Sequence, residues 1–184
     1  MERIHYTKRD IEKTLISEAE LKQKVRELGA RISADYEGKD VVAICILRGC
    51  CMFFSDLMKE VDIPVDMEFM AVSSYGRGTV SSGNVSILYD IQTDIKDKHV
   101  LIVEDIIDTG ITLRQLKKLL GGREPASIEI CALLDKAERR ETEVDVKYTG
   151  FVIPNEFVVG YGLDYNEKYR NYREIGVLKP EIYE

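Results

Sequence analysis

Glu104-Asp105-Ile106-Ile107-Asp108-Thr109-Gly110-Ile111-Thr112 gathers three carboxylates, two hydroxyls and a glycine in nine residues. Small polar residues around one Gly leave backbone N–H groups free to face an anion, and a helix starting there adds the positive end of its dipole. A loop that held only phosphate would have no use for adjacent acids. A phosphorylated sugar does, because carboxylates accept hydrogen bonds from ribose hydroxyls or hold Mg²⁺. The plain alternative is an acid-rich turn that caps a helix and faces water.

Other residues able to do chemistry are scattered along the chain. Arg48-Gly49 follows an apolar run and reads as a second anion loop or as a tight turn with a surface Arg. Lys136 follows another apolar run. It is either one solvated charge in the run Asp135-Lys136-Ala137-Glu138-Arg139-Arg140 or a donor aimed at a ligand acceptor. Ser73 to Asn84, rich in Ser and Gly, is longer than a hairpin needs and reads as a lid or a surface loop.

These residues need a scaffold, and the hydrophobic pattern supplies one. Val100–Val103 reads as a buried parallel strand ending at Glu104 and Asp105, followed by a helix over Ile111–Leu120 with Leu113, Leu116 and Leu120 inward. Val41–Leu47 is a second buried strand, leading through Arg48-Gly49 into a helix over Cys50–Val61. Pro64–Val72 and Val85–Tyr89 read as a strand and its return, and Ser127–Leu134 as a further buried strand. Ser17 and Glu20 form a capping box, which starts a helix from about Glu18 to Tyr36 that Gly38 ends. Residues 1–16 show no strong period. Lys147–Gly162 is aromatic and β-branched, away from the sheet pattern.

The chain has 184 residues, enough for one domain with a sizeable core, with 45% hydrophobic and 32% charged residues. The net charge of −7 argues against a dedicated nucleic-acid surface. No apolar run is long enough to span a bilayer, and the first ten residues are polar and charged, so no membrane partner and a cytoplasmic setting are expected. The four cysteines, Cys45, Cys50, Cys51 and Cys131, form no C-x-x-C pair and read as reduced thiols, packing being their role.

Glu104-Asp105-Ile106-Ile107-Asp108-Thr109-Gly110 followed by Thr112 resembles the signature loop of type I phosphoribosyltransferases, which bind 5-phosphoribosyl-1-pyrophosphate (PRPP). Leu47-Arg48-Gly49 resembles the pyrophosphate loop of the purine enzymes, whose first two residues are joined by a cis peptide. Ser74-Tyr75 is similar to their flexible loop, and the stretch from Gly150 through Arg170 to Pro180 is similar to their C-terminal part. Four motifs in the expected order, over nearly the whole chain, resemble the 6-oxopurine branch, which includes bacterial hypoxanthine (guanine) phosphoribosyltransferases. One departure is Ala137, where bacterial members commonly have Pro.

The resemblance implies an α/β fold: a parallel-dominated sheet flanked by helices on both faces. It implies a single domain over 1–184, with a small hood from the N-terminal segment and about 145–184. It implies transfer of the phosphoribosyl group to hypoxanthine or guanine, giving IMP or GMP and pyrophosphate, with Mg²⁺ as cofactor and a homodimer or homotetramer. Asp108 is the candidate general base. Backbone amides of Asp108, Thr109, Gly110, Ile111 and Thr112 would hold the 5′-phosphate. Glu104 and Asp105 would hold ribose hydroxyls, directly or through Mg²⁺, and Asp164 would bind Mg²⁺ at pyrophosphate. Arg48, Gly49, Ser74, Tyr75 and Arg170 would surround pyrophosphate. Lys136 would donate to the purine oxygen on C6, Phe157 would stack on the base, and Val158 would read its edge through the backbone. Two alternatives stand beside this: a xanthine or pyrimidine enzyme of the same fold, and a PRPP-sensing regulator that binds nucleic acid.

Overall fold

A computed structural model describes residues 6–74 and 85–183. The chain opens with α1 (Tyr6–Asp10) and β1 (Ile11–Ile16), in the stretch where the sequence shows no period. The reason is visible in the pairing. β1 has two register irregularities against its partner and only Ile16 is buried, so no clean alternation develops. Next come α2 (Glu18–Asp35), β2 (Val41–Leu47), α3 (Cys51–Glu60), β3 (Asp66–Ser74), β4 (Val85–Tyr89), β5 (His99–Ile107) and α4 (Ile111–Gly121). The chain continues through β6 (Ser127–Asp135), a 3-10 turn (Ala137–Arg139), β7 (Tyr148–Val152), β8 (Val158–Val159), β9 (Ile175–Leu178) and α5 (Pro180–Tyr183).

The main sheet has six strands in the order β4-β3-β2-β5-β6-β7, parallel throughout except for β4 against β3. The alternation of strand side chains sends successive residues to opposite faces. Val41, Ala43, Cys45, Leu101, Val103, Cys131 and Leu133 pack with α2 and α3. Val42, Ile44, Val100, Ile102, Ile130 and Ala132 pack with α4 through Leu113, Leu116 and Leu120. Both faces are covered, which is why these strands read as continuous apolar runs. Each such aliphatic side chain contributes about 1.5–3 kcal/mol by leaving water. α2 begins on the expected capping box: the Ser17 hydroxyl accepts from the Glu20 N–H, and the Ser17 N–H donates to the Glu20 carboxylate at 2.8 Å.

Two boundaries differ from the sequence reading. β5 does not end before Glu104 but runs through both acids to Ile107. β2 stops pairing at Cys45↔Val103, whereas β6 goes on pairing to Ile107↔Asp135. The acids therefore ride on a strand held on one side only. Residues 148–152, assigned with the hood by the expected boundary near 145, form β7 and lie in the main sheet beside β6. A second, antiparallel sheet of three strands in the order β1-β9-β8 joins the N-terminal segment to the C-terminal part.

Candidate active site

The carboxyl ends of the parallel strands carry the site, as open α/β sheets lead one to expect. Glu104 and Asp105 are partly buried there. Burial, with the charge of Asp105 beside it, pushes the Glu104 carboxyl well above the usual carboxylate range. Burial also raises Asp105, to about 6, against hydrogen bonds from the backbone that favour its charged form. One of these is the Ile106 N–H, which donates to Asp105 Oδ1 at 2.8 Å. Arg170 pulls Asp105 down and Asp164 pushes it up.

The loop after β2 packs directly on Asp105. Leu47–Arg48 is a cis peptide. A Cβ on Gly49 would stand 1.7 Å from Asp105 Oδ2, so any larger residue there would have to push the Asp105 carboxylate aside. Gly162, at φ 107°, presses against this loop from the other side: a Cβ there would stand 1.9 Å from the Gly49 carbonyl oxygen. Arg170 locks that segment. Its Nη1 donates to Gly162 O at 2.8 Å, and the Gly162 N–H donates to Arg170 O at 2.9 Å. Arg170 Nη2 lies 2.9 Å from Asp164 Oδ1. Glu167 bridges the two arginines, accepting from Arg48 Nη1 at 2.9 Å and from Arg170 Nη2 at 3.2 Å. Arg48, Gly49, Asp105, Asp164 and Arg170 thus form one cluster.

The loop from Asp108 to Thr112 forms the adjoining part. Gly110 is the N-cap of α4 at φ 83°, a left-handed conformation that glycine adopts without strain. The first-turn N–H groups of α4, from Ile111 and Thr112 onward, have no acceptor within the helix. That of Ile111 reaches Thr109 Oγ1 at 3.4 Å. The loop is braced from behind by 139–142: the Glu141 and Thr142 N–H groups donate to Thr109 O at 3.0 and 3.2 Å, and Arg140 Nη1 donates to Asp108 O at 3.1 Å. Arg140 also pairs with Asp135, and Arg139 Nε lies 2.6 Å from Asp108 Oδ1. Lys136 stands at the end of β6, its N–H donating to Ile107 O at 2.9 Å. Burial lowers its ammonium, with Asp108 opposing and Arg139 assisting that shift.

Phe157 and Val158 stand on the small sheet. Phe157 is 37% exposed. Val158 pairs with Val177 and buries its side chain. Ser74 ends β3, while Tyr75 and the rest of the expected lid lie outside the described residues. Sequence reasoning missed Glu167, Arg139 and Arg140. All three lie in charge-rich stretches, and charge by itself does not tell a solvated side chain from one held in a network.

Among the described residues no three His, Cys, Asp or Glu side chains gather into a ready-made metal cage. The donor set still suits Mg²⁺. That ion takes hard oxygen ligands, commonly one or two carboxylates with substrate phosphates and water. Here Asp105 and Glu104 resist ionising together, and Asp164 adds to the negative charge around Asp105. No helix among the described residues is long and apolar enough to cross a membrane.

The family model "Phosphoribosyl transferase domain" matches residues 14–166. The chain belongs to the phosphoribosyltransferase family. Within that family it is 52% identical over 174 residues to a hypoxanthine-guanine phosphoribosyltransferase of Streptococcus pneumoniae, covering 95% of this chain and 97% of the relative. A crystal structure of a hypoxanthine phosphoribosyltransferase from Staphylococcus aureus superposes with a TM-score of 0.96 at 47% identity, covering both chains completely. The bifunctional protein TilS/HprT of Listeria monocytogenes is 52% identical over 95% of this chain, which spans 27% of that longer relative. The matched range includes the stretch from Glu104 to Thr112 described above, and the α/β fold with its parallel-dominated sheet agrees with the family.

Proposed function

We propose that this chain transfers the 5-phosphoribosyl group of PRPP to N9 of hypoxanthine or guanine, giving IMP or GMP and pyrophosphate. One observation carries the reading. Two carboxylates with raised pKa, an anion-binding helix start and two arginines meet at the open carboxyl edge of one parallel sheet. The membership of the chain in the family supports it.

The 5′-phosphate sits at the start of α4, on backbone amides and hydroxyls of Asp108 to Thr112, where the helix dipole favours an anion. Glu104 and Asp105 accept from the ribose hydroxyls. The bond from C1 to the pyrophosphate oxygen breaks ahead of attack by N9, so positive charge grows on the ribose ring. The neighbouring carboxylates stabilise that charge, strongly so because they are held in place and poorly solvated. Asp164, with Glu104 or Asp105, would hold Mg²⁺, and the chemistry that ion would supply is neutralisation of charge on the leaving pyrophosphate. Arg48, Gly49 and Arg170, with Ser74 and Tyr75, surround that group, and Glu167 hands its arginine contacts over to it. Asp108 takes the proton from N7 as N9 bonds to C1. Phe157 stacks on the base and the Val158 backbone reads its edge.

Lys136 selects the base. An ammonium has donors only, so it suits an oxygen on C6 and offers nothing to the amino group of adenine. We further propose a cytoplasmic enzyme that works as a homodimer or homotetramer, as its resemblance to the family implies. The test is a rate panel of hypoxanthine, guanine, xanthine, adenine and uracil with PRPP and Mg²⁺. Hypoxanthine and guanine are expected to turn over and adenine to be poor. Lys136→Ala is expected to lower kcat/KM for hypoxanthine about 10- to 100-fold while leaving PRPP binding within twofold, the range for losing a charged hydrogen bond. Adenine used as well as hypoxanthine by the unaltered chain would overturn the role of Lys136, and xanthine or uracil as the best base would overturn the substrate.

A further inference from the structure

Phe157 does not stand by itself on the small sheet. Its ring stacks on that of Tyr183 with centroids 4.7 Å apart and planes 19° from parallel. It also meets Tyr165 edge-on, with centroids 5.6 Å apart and planes at 86°. Tyr165 and Tyr183 touch each other at 6.5 Å and 67°. The three rings close on themselves, one stacked contact and two edge contacts, the geometries that aromatic quadrupoles favour.

The position of Tyr183 follows from the backbone. Residues 157 and 159 point to one face of the small sheet and residue 158 to the other. Val158 and Val177 pack toward α2 and α3, while Val159 and Leu178 form a separate cluster on the opposite face. Tyr165, Ile182 and Tyr183 pack against that second cluster. The Leu178 N–H donates to Phe157 O at 2.9 Å, and the Ile182 N–H donates to Lys179 O at 3.0 Å as α5 turns back. That turn brings the Tyr183 ring over Phe157. Phe157 nonetheless keeps 37% of its surface exposed, although a three-ring cluster would allow it to be buried.

We propose that Tyr183 is a positioning residue for purine binding: it covers one face of Phe157, fixes the ring plane with Tyr165, and leaves the opposite face open to the base. This rests on the reading of Phe157 as the ring that stacks on the base. Phenylalanine has a free χ2 and a ring that can tilt, so a base stacking on an unsupported Phe must also restrain it. A ring already held between Tyr183 and Tyr165 has lost that freedom before the base arrives. The C-terminal turn then contributes to base affinity without touching PRPP.

The test compares KM for hypoxanthine and for PRPP in the full chain and in Tyr183→Ala, Tyr183→Leu, Tyr183→Phe and Phe157→Ala, with thermal melts recorded on each. Tyr183→Ala and Tyr183→Leu are expected to raise KM for hypoxanthine about three- to tenfold, the range for losing one stacked pair. KM for PRPP and kcat are expected to stay within twofold, and Tyr183→Phe, which keeps the ring, to restore the unaltered values. Tyr183→Leu covers the case in which the alanine variant fails to fold. The proposal is overturned if both variants leave hypoxanthine KM unchanged while Phe157→Ala raises it, an outcome that keeps Phe157 as the stacking ring. It is overturned equally if KM for both substrates rises together. If Phe157→Ala leaves hypoxanthine KM unchanged, the stacking reading falls and takes this proposal with it.

Discussion

Asp105 and Glu104 sit side by side on β5, where neither ionises as readily as it would in water. For Asp105 the sign is definite. Its carboxyl is raised to about 6 in the folded chain, above the value of about 3.9 expected when unfolded. Between those values the folded state binds more protons, so this group stabilises the ligand-free fold at low pH and the benefit is lost as pH rises through 6. Asp105→Asn removes the penalty. It is expected to raise the melting temperature of the ligand-free chain by about 6–11 °C at pH 7.5 and by about half as much at pH 5. The same substitution should weaken binding of PRPP with Mg²⁺ by at least an order of magnitude at pH 7.5 in calorimetry. In the unaltered chain that affinity should fall as pH drops below 6, because the protonated acid is a poor ligand. A melting temperature that drops at pH 7.5 would mean that Asp105 supports the fold as a charge.

At the level of elements, α2 shows how a purely structural unit can be read from sequence. Ser17 and Glu20 satisfy each other's backbone reciprocally, and no site residue lies on that helix. Ser17→Ala is expected to cost about 1 kcal/mol, lowering the melting temperature by about 2–4 °C with KM values unchanged. A change in KM would show that α2 reaches the site. The same local logic made β2, α3, β4, α4 and β6 legible, since long apolar runs and a helical period survive without knowledge of partners. β1 was not legible, because its partner β9 lies far along the chain and the pairing is irregular. β5 was read four residues short, since only the register with β6 tells that Glu104 to Ile107 remain in the strand. In the site, the signature loop and Arg48-Gly49 carried their own signals. The bracing by Arg139 and Arg140 and the bridge through Glu167 did not, because a charge run looks the same whether it faces water or another loop.

The small sheet shares the core beside α2 and α3, and it also meets the main sheet at the site. The segment after β8 lays Gly162 against the carbonyl of Gly49, and Gly49 lies against Asp105. Gly162→Ala combines a left-handed φ with a collision against backbone. It is expected to cost roughly 3 kcal/mol, lowering the melting temperature by about 6–12 °C, and to weaken PRPP binding in the same preparation. A variant that melts normally and still binds PRPP would show that the two parts can separate at this point without consequence. Close packing explains why such a small contact matters: the loops carry Arg48 and Arg170, proposed to hold pyrophosphate, and Gly162 meets Gly49 through main chain with no side chain between them.

That stack of main chain against main chain divides the molecule into what can vary and what cannot. At Gly162 there is room for a hydrogen atom and nothing larger, because a methyl group would meet the Gly49 carbonyl, so this junction tolerates little change. Lys136 and Phe157, the side chains proposed to meet the nucleobase, are not among the atoms nearest to Gly49 or Gly162 and can be exchanged one at a time. Under the proposed function, the base a variant accepts is therefore easier to alter by substitution than the sugar it attaches.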